Sequence, residues 1–188
     1  MNVTIIDYGA GNTESVRFAL ERLGSTPVLS ADPEVIQKAD KVIFPGVGSA
    51  SHAMEVLRTK GLDTLIRDLK QPVLGICLGM QVLMEYSEEG NTACLGIFPG
   101  KVVRFSEGVK IPHMGWNRVD GQDQLVPNGF YYFVHSYVVP VMDETIAESN
   151  HGQRFSAAIR KDNFIGVQFH PEKSSSVGTN LLSNFLKS

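Results

Sequence analysis

One of the two cysteines of this 188-residue chain has the local sequence of a catalytic nucleophile. Cys77 is the centre of a Gly-x-Cys-x-Gly pattern at residues 75–79, after the apolar residues 72–74 and before a run with helical character at residues 78–86. Such a pattern indicates a nucleophile elbow, a sharp strand-to-helix turn that presents a reactive side chain. The helix N-terminus carries partial positive charge, which favours the thiolate. We therefore predict that Cys77 is a nucleophile and not merely a small buried apolar residue.

A histidine and a glutamate near the C-terminus have the spacing of its catalytic partners. His170 follows the strand-like residues 164–169, and Glu172 comes two residues later. Catalytic groups of open α/β sheets gather at the carboxyl ends of the strands, where the elbow is also expected. A lone histidine at a strand end is more often only a polar residue leaving the core. Together with Cys77, however, the pair predicts a nucleophile–histidine–acid triad in which Glu172 orients the imidazole.

Backbone N–H groups near Cys77 are candidates for an oxyanion hole. Leu78 directly follows the nucleophile, and a second donor is expected from the glycine-rich loop that contains Val47 and Gly48. A plain strand-to-helix turn is the alternative for this loop. A dinucleotide phosphate cradle is set aside because the third glycine and the downstream acidic residue are absent. Gln81, one helical turn after Cys77, is either a substrate contact or an ordinary helix residue.

The elements that must hold these residues alternate between strands and helices in the first half of the chain. This alternation predicts a parallel sheet with helices on its faces, while the second half is rich in strands joined by turns. We predict an α/β fold, in which a central, mostly parallel mixed sheet flanked by helices carries an antiparallel β extension, as one domain over residues 1–188. The predicted strands are residues 3–6, 27–29, 41–44, 73–76, 101–105, 116–119, 131–139, 157–160 and 164–169. The predicted helices are residues 13–23, 33–39, 49–60, 62–69, 78–86 and 176–186.

Composition and spacing exclude several other classes of function. A net charge of −3 with no basic run argues against nucleic acid, and no apolar segment approaches the roughly 20 residues that span a bilayer. Two cysteines without a signal-like N-terminus predict a cytoplasmic protein without disulfides. The other four histidines are scattered, and the second cysteine, Cys94, has no recognisable chemistry. Residues 170–172 resemble the His-x-Glu of zinc deaminases, but the downstream cysteine pair is missing, so we expect neither a metal nor a cofactor.

As a set, these motifs resemble the class I, or triad-type, glutamine amidotransferases. The resemblance covers the whole chain and rests on residues 45–48, residues 75–81 and residues 170–172. It implies that L-glutamine is the substrate, that Cys77 is the nucleophile, and that His170 and Glu172 are the acid–base and its orienting partner. The substrate contacts that it implies are Gly46, Gln81, Glu89, Ser136 and Tyr137.

Three further segments resemble one branch of that family. They are residues 7–12, residues 112–117 and residues 173–175. Members of this branch are the glutaminase half of a two-subunit synthase of histidine biosynthesis, and they form a heterodimer with a (β/α)8-barrel cyclase that consumes the ammonia. The resemblance places Asn12, Trp116 and Lys173 at the docking face. From the residues alone, the alternatives are a helix N-cap for Asn12, a core position for Trp116 and a solvated charge for Lys173.

Three rival functions remain open from the sequence. The chain could be a cysteine hydrolase that acts on esters or peptides, or the glutaminase subunit of another synthase, such as those that make pyridoxal phosphate or anthranilate. It could also be a regulatory docking subunit without its own catalysis. An intact set of Cys77, His170 and Glu172 argues against the last of these, because a scaffold does not need all three.

Overall fold

The computed structural model describes residues 1–9 and 11–188, so Ala10 of the segment 7–12 lies outside the described residues. The strands are β1 Val3–Ile6, β2 Val28–Ser30, β3 Lys41–Gly46, β4 Val73–Cys77, β5 Met84–Ser87, β6 Thr92–Ala93, β7 Phe98–Arg104, β8 His113–Gly121, β9 Gly129–His135, β10 Tyr137–Val138, β11 Thr145–Asn150, β12 Arg154–Lys161 and β13 Phe164–Val167. The helices are α1 Thr13–Glu21, α2 Pro33–Gln37, α3 Ala50–Thr59, α4 Leu62–Asp68, α5 Leu78–Val82 and α6 Ser175–Lys187, with a 3-10 helix at Pro171–Lys173.

The larger of two sheets joins a parallel half to an antiparallel half. Its strand order is β2-β1-β3-β4-β13-β12-β11-β8-β9. The pairs from β2 to β13 are parallel, and those from β13 to β9 are antiparallel. This arrangement confirms the predicted α/β fold with a mixed sheet and an antiparallel extension. Because β4 and β13 are parallel neighbours, their carboxyl ends lie at the same edge.

Helices cover both faces of the parallel half and create two apolar cores. On one face, α2, α3, α4 and α5 pack against the sheet; α1 and α6 pack on the other. Successive residues of β3 alternate between the two cores, since Phe44 belongs to the first and Ile43 to the second. The strands of the parallel half are therefore apolar on both sides, as buried parallel strands require.

The helix predicted for residues 78–86 is wrong beyond Val82. α5 ends there, and β5 begins at Met84, where it pairs in parallel with β7 and antiparallel with β6 in a small four-stranded sheet. The pairing partners lie farther along the chain, so local helical spacing does not reveal them. The predicted strand 131–139 is likewise divided at Ser136 into β9 and β10, which belong to different sheets. The strands β5, β6 and β11 have no counterpart among the predicted elements.

Three glycines allow β3, β4 and α5 to touch backbone to backbone. A Cβ atom on Gly79 would overlap the carbonyl oxygen of Phe44, and one on Gly75 would lie 2.9 Å from the Gly79 carbonyl. A Cβ on Gly46 would lie 2.9 Å from the Gly79 nitrogen. Real Cβ atoms do not approach other atoms so closely. The first turn of α5 can therefore sit directly on the strand ends only because these positions carry no side chain.

We expect Gly79→Ala to destabilise the protein by about 3 kcal/mol, at the upper end of overpacking costs, because rigid backbone lies against the new methyl group. Chemical denaturation measures the change in the free energy of unfolding. Gly24→Ala is the matched control: Gly24 has φ +79°, and a methyl group added there would meet no atom within 4 Å. Only the left-handed backbone opposes that substitution, at about 1 kcal/mol. Equal costs for the two variants would contradict the close-contact explanation.

Candidate active site

Cys77 occupies a strained turn at the end of β4. Its backbone has φ 55° and ψ −109°, a conformation that residues other than glycine rarely adopt. In register it pairs with Gly46 of β3, and Leu78 begins α5 directly after it. Such strain costs on the order of 1–3 kcal/mol and persists only where the surrounding packing imposes it. The predicted elbow is therefore present, held by the glycine contacts described above.

The histidine predicted to act with Cys77 lies at the same sheet edge and is fixed by its backbone. The N–H of His170 donates to the carbonyl oxygen of Tyr132 at 2.9 Å, and its carbonyl oxygen accepts from the hydroxyl of Ser174 at 2.6 Å. Its side chain is 3% exposed, and Nδ1 lies 2.8 Å from Oε1 of Glu172, whose side chain is 1% exposed. Because the carboxylate accepts, Nδ1 carries a proton.

The electrostatic surroundings of His170 favour its charged form. Burial by itself lowers the pKa of the imidazole, but the Cys77 sulfur and the Glu172 carboxylate outweigh burial and raise the pKa to about 10. Asn12 adds a further contact to the acid, since its Nδ2 lies 3.4 Å from Oε1 of Glu172. Nε2 of His170 and Oε2 of Glu172 are buried without a hydrogen bond from any described residue. A protonated ring of this kind can donate a proton to a leaving group.

A cavity of about 290 Å³ opens beside Cys77 and collects most of the other predicted site residues. This volume is close to the lower limit of roughly 300 Å³ for small-molecule sites. The predicted residues in its lining are Val47, Gly48, Cys77, Leu78, Gln81, Glu89, Ser136 and Tyr137. The other lining residues are Pro112, Val134 and His135, none of which was predicted as a site residue. A larger cavity of about 560 Å³ elsewhere, lined by residues such as Asp123 and Arg160, contains neither cysteine nor histidine.

Three of the predicted positions in or beside this cavity have distinct structural settings. Gly48 has φ +98°, which favours glycine. The carboxylate of Glu89 accepts from the N–H of Ala50 at 2.8 Å, at the first residue of α3. Gly46, predicted to contact substrate, is buried beside the elbow and does not line the cavity.

Two polar residues near Cys77 were missed from the sequence. Gln168 is fully buried within the His170 segment, with Nε2 3.7 Å from the Cys77 sulfur. Tyr8 is also buried, its hydroxyl has no partner among the described residues, and burial and the nearby Cys77 raise its pKa. Their local sequences are typical of ordinary strand and loop residues, and nothing in their spacing to Cys77 along the chain indicates proximity.

The three residues predicted at a docking face lie in different settings. Trp116 is 54% exposed on β8, so the alternative that it belongs to the core is wrong. Asn12 precedes α1 at the N-cap position, but its side chain makes no capping hydrogen bond and instead contacts Glu172. Lys173 is exposed next to the candidate triad.

Among the described residues, the remaining cysteine and the other four histidines do not form a metal site. Burial raises the pKa of the Cys94 thiol to about 11, and the thiol donates to the carbonyl oxygen of Thr92 at 3.5 Å. Within residues 1–9 and 11–188, no group of three or more His, Cys, Asp or Glu side chains is arranged to hold a metal ion. None of the helices described is long and apolar enough to cross a membrane.

Comparison with known proteins connects this geometry to one family. The model of the family described as class-I glutamine amidotransferase matches residues 4–188. Proteins named imidazole glycerol phosphate synthase subunit HisH are similar over the full chain. The one from Bacteroides fragilis is 51% identical, with 100% of both chains covered. The one from Haemophilus influenzae is 49% identical, with 100% of this chain and 98% of that protein covered.

Solved structures share the fold at much lower identity. A crystal structure of a glutamine amidotransferase has a TM-score of 0.80 at 19% identity and covers 98% of this chain and 97% of its own. A structure of PurLQS from Thermotoga maritima has a TM-score of 0.74 at 18% identity and covers 99% and 97%. At these identities the likeness shows the fold alone.

We expect the free energy of unfolding to decrease as the pH rises from about 6.5 toward 10, partly because of His170. Its folded pKa of about 10 lies above the ordinary 6.5, so the stabilisation is fully present below pH 6.5 and is lost as the pH passes the folded value. Glu172→Gln keeps the shape but removes the charge, and it should lower the pKa of His170 and flatten this pH dependence. Denaturation at several pH values and NMR titration of His170 measure both effects. Glu148→Gln, at a half-buried carboxylate paired with Arg154, is the control. An unchanged pKa of His170 in Glu172→Gln would contradict the pairing.

Proposed function

The chain belongs to the class I glutamine amidotransferase family, and we propose that it is the glutaminase subunit of an imidazole glycerol phosphate synthase. The observation that supports the proposal is the arrangement at one sheet edge, where Cys77 in its strained turn borders a small cavity and a buried His170 pairs with Glu172. Full-length identity of about 50% to proteins of that name supports the specific synthase. The proposal takes residues 1–188 as a single glutaminase domain.

The first half of the proposed reaction forms a thioester. The Cys77 thiolate attacks the side-chain amide carbon of L-glutamine, and the resulting oxyanion accepts hydrogen bonds from the N–H of Leu78 and from the loop of Val47 and Gly48. Each such donor contributes about 3 kcal/mol in acyl-transfer enzymes. The His170 imidazolium then gives its proton to the leaving nitrogen, so the carbon–nitrogen bond breaks and ammonia departs.

The second half releases glutamate. His170, now neutral, takes a proton from water, and the oxygen of that water attacks the thioester carbonyl carbon. The carbon–sulfur bond breaks, the Cys77 thiolate is regenerated and His170 is again protonated, while the new carboxylic acid loses its proton to solvent and leaves as glutamate. Glu172 remains ionised throughout and stabilises the imidazolium at the start and end of the cycle. No external oxidant, metal or cofactor is required for this balance.

The cavity suits an amino-acid substrate with a charged backbone end. We assign Glu89 to the substrate ammonium group because this acidic residue lines the same cavity as Cys77. Gln81, Ser136 and Tyr137 complete the substrate contacts along the cavity wall. Gly46 acts indirectly in this proposal, because it is the residue that permits the elbow to approach β3.

The ammonia is proposed to pass to a (β/α)8-barrel cyclase subunit in a heterodimer. Trp116 and its neighbours Met114 and Phe130 are 54%, 63% and 58% exposed, and paired strands β8 and β9 carry all three. Exposed aromatic and methionine side chains are characteristic of interface cores. The proposal also assigns Asn12, which contacts Glu172, and the exposed Lys173 to the docking face. A cytosolic location is part of the same proposal, since both cysteines are free thiols.

We expect Cys77→Ala to lower glutamine hydrolysis at least about 10³-fold, because the covalent route is lost. Glutamate production, measured in the complex with the cyclase subunit, tests this expectation. Cys94→Ala is the control: Cys94 is buried and does not line the cavity beside Cys77, so the activity should be retained. Retained hydrolysis in Cys77→Ala would rule out the assigned nucleophile.

We expect Trp116→Ala to weaken binding of the cyclase subunit about 30-fold, since a central aromatic residue contributes on the order of 2 kcal/mol to an interface. Titration calorimetry with the purified cyclase measures the dissociation constant. Val141→Ala truncates another exposed apolar side chain, in the connection between β10 and β11, and should leave the affinity unchanged. Equal affinities for the Trp116→Ala variant and the unmodified protein would exclude Trp116 from the interface.

A further inference from the structure

A line of buried hydrogen bonds reaches the sulfur of Cys77 through two glutamine side chains. Nε2 of Gln168 lies 3.7 Å from the Cys77 sulfur, a distance at which the large sulfur atom accepts a hydrogen bond. Oε1 of Gln168 lies 2.9 Å from Nε2 of Gln81, and the same Gln81 nitrogen lies 3.1 Å from the carbonyl oxygen of Tyr137. Gln168 is fully buried and Gln81 is 5% exposed, so water does not replace these partners.

The direction of this line follows from its fixed acceptor. The Tyr137 carbonyl oxygen can only accept, so the Gln81 atom that faces it must be the nitrogen. That nitrogen also faces Gln168, which must therefore present its oxygen there. The Gln168 nitrogen is left to point at the Cys77 sulfur, and it donates. No other assignment of the two amides satisfies all three contacts.

A second arm ends on the same carbonyl oxygen. Nδ1 of His135 lies 2.8 Å from the Tyr137 oxygen, and its Nε2 lies 2.9 Å from Nδ1 of His113. Nε2 of His113 lies 3.1 Å from Nδ2 of Asn117, which also donates to the Asn150 carbonyl oxygen at 2.8 Å. In each hydrogen bond of this arm, the donor is therefore the group nearer to Asn117 and the acceptor is the group nearer to the Tyr137 carbonyl.

Both histidines of this arm are neutral near pH 7. Burial, with a smaller effect of His151, lowers the pKa of His113 to about 4. Burial also lowers the pKa of His135, to about 3. Each ring therefore holds a single proton, on Nδ1, and donates in one direction. The Tyr137 carbonyl is held by two donors, His135 and Gln81.

We propose that Gln168 is a positioning residue that orients the Cys77 sulfur through its amide N–H. Gln81 and the carbonyl of Tyr137 fix the orientation of that amide, and the histidine arm fixes the carbonyl. The inference rests on the proposed function, because it concerns the nucleophile of that reaction. It explains why a fully buried amide, which would be costly without partners, stands two residues before His170.

The physical consequence is a sulfur held in a single orientation. A cysteine side chain turns about one bond, and in the thiol form the Cys77 sulfur also lies 3.9 Å from the Val134 carbonyl oxygen, which attracts its proton. The side-chain N–H of Gln168 stabilises the thiolate form of Cys77, whereas the carbonyl oxygen of Val134 does not. Gln168 therefore stabilises the reactive form in place and should affect the chemical step more than substrate binding.

The test is Gln168→Glu, which keeps the shape and the acceptor toward Gln81 but removes the donor toward sulfur. We expect kcat for glutamine hydrolysis, measured in the complex with the cyclase subunit, and the rate of Cys77 alkylation by iodoacetamide to fall together, about tenfold or more, as for loss of a hydrogen bond to a charged group. KM should change less than about twofold. Wild-type kcat and alkylation in a folded Gln168→Glu protein would overturn the proposal.

Gln168→Met is a second variant of similar size without an added charge, and it should show the same split between kcat and KM. Ser156→Ala, which removes another buried polar group with hydrogen bonds to Thr145 and Pro140, is the matched control and should keep kcat. If both Gln168 variants had a lower kcat, a higher KM and a lower thermal stability, Gln168 would have a structural role, and the positioning proposal would be rejected.

A measurement without a Gln168 variant keeps the proposal testable if both variants fail to fold. The side-chain amide protons of Gln168, observed by NMR, should shift and exchange faster in Cys77→Ala than in the unmodified protein; an unchanged resonance would overturn the proposal. Failure of the inference is distinct from failure of the function. If Cys77→Ala loses hydrolysis while Gln168→Glu keeps it, only the inference falls, whereas hydrolysis retained in Cys77→Ala removes the function itself.

Discussion

The close approach of α5 to the ends of β3 and β4 is the constraint on which the candidate site depends. Without side chains at positions 46, 75 and 79, backbone contacts backbone, and the chain must turn at Cys77 with φ 55°. The strain energy of that turn is small compared with the free energy that burial of the surrounding apolar core contributes. The helix α5 adds Leu78, Met80 and Val82 to that core. Nearly every other feature of the site follows from where this turn places one sulfur atom.

Three buried histidines of this fold differ in their charge. His113 and His135 are buried among aromatic rings and held neutral, whereas His170 is also buried but is paired with Glu172 and influenced by Cys77. Desolvation acts on all three rings, and only the presence of nearby negative or polarisable partners reverses its effect on the pKa. One ring is thus charged, as the proposed proton transfer requires, and the other two form hydrogen bonds with a fixed direction.

The sequence predicts the parts of this structure that local pattern determines. The elbow follows from glycines at fixed offsets from Cys77, and the parallel half follows from alternating apolar runs and helices. The strand β5 was not predicted because residues 78–86 by themselves show only helical spacing. Its pairing with β7, farther along the chain, is what makes it a strand. The position of Gln168 beside Cys77 was not predicted for a related reason. The two residues are 91 positions apart in the sequence, and only the parallel pairing of β4 with β13 brings them together.

The central claim is that Cys77 carries the glutamyl group during the reaction. Its most direct test is mass spectrometry of the protein, quenched in acid during turnover of glutamine in the complex with the cyclase subunit. We expect a γ-glutamyl thioester on the peptide that contains Cys77 and none on the peptide that contains Cys94. Sustained hydrolysis with no adduct on Cys77, or with an adduct on another side chain, would contradict the claim.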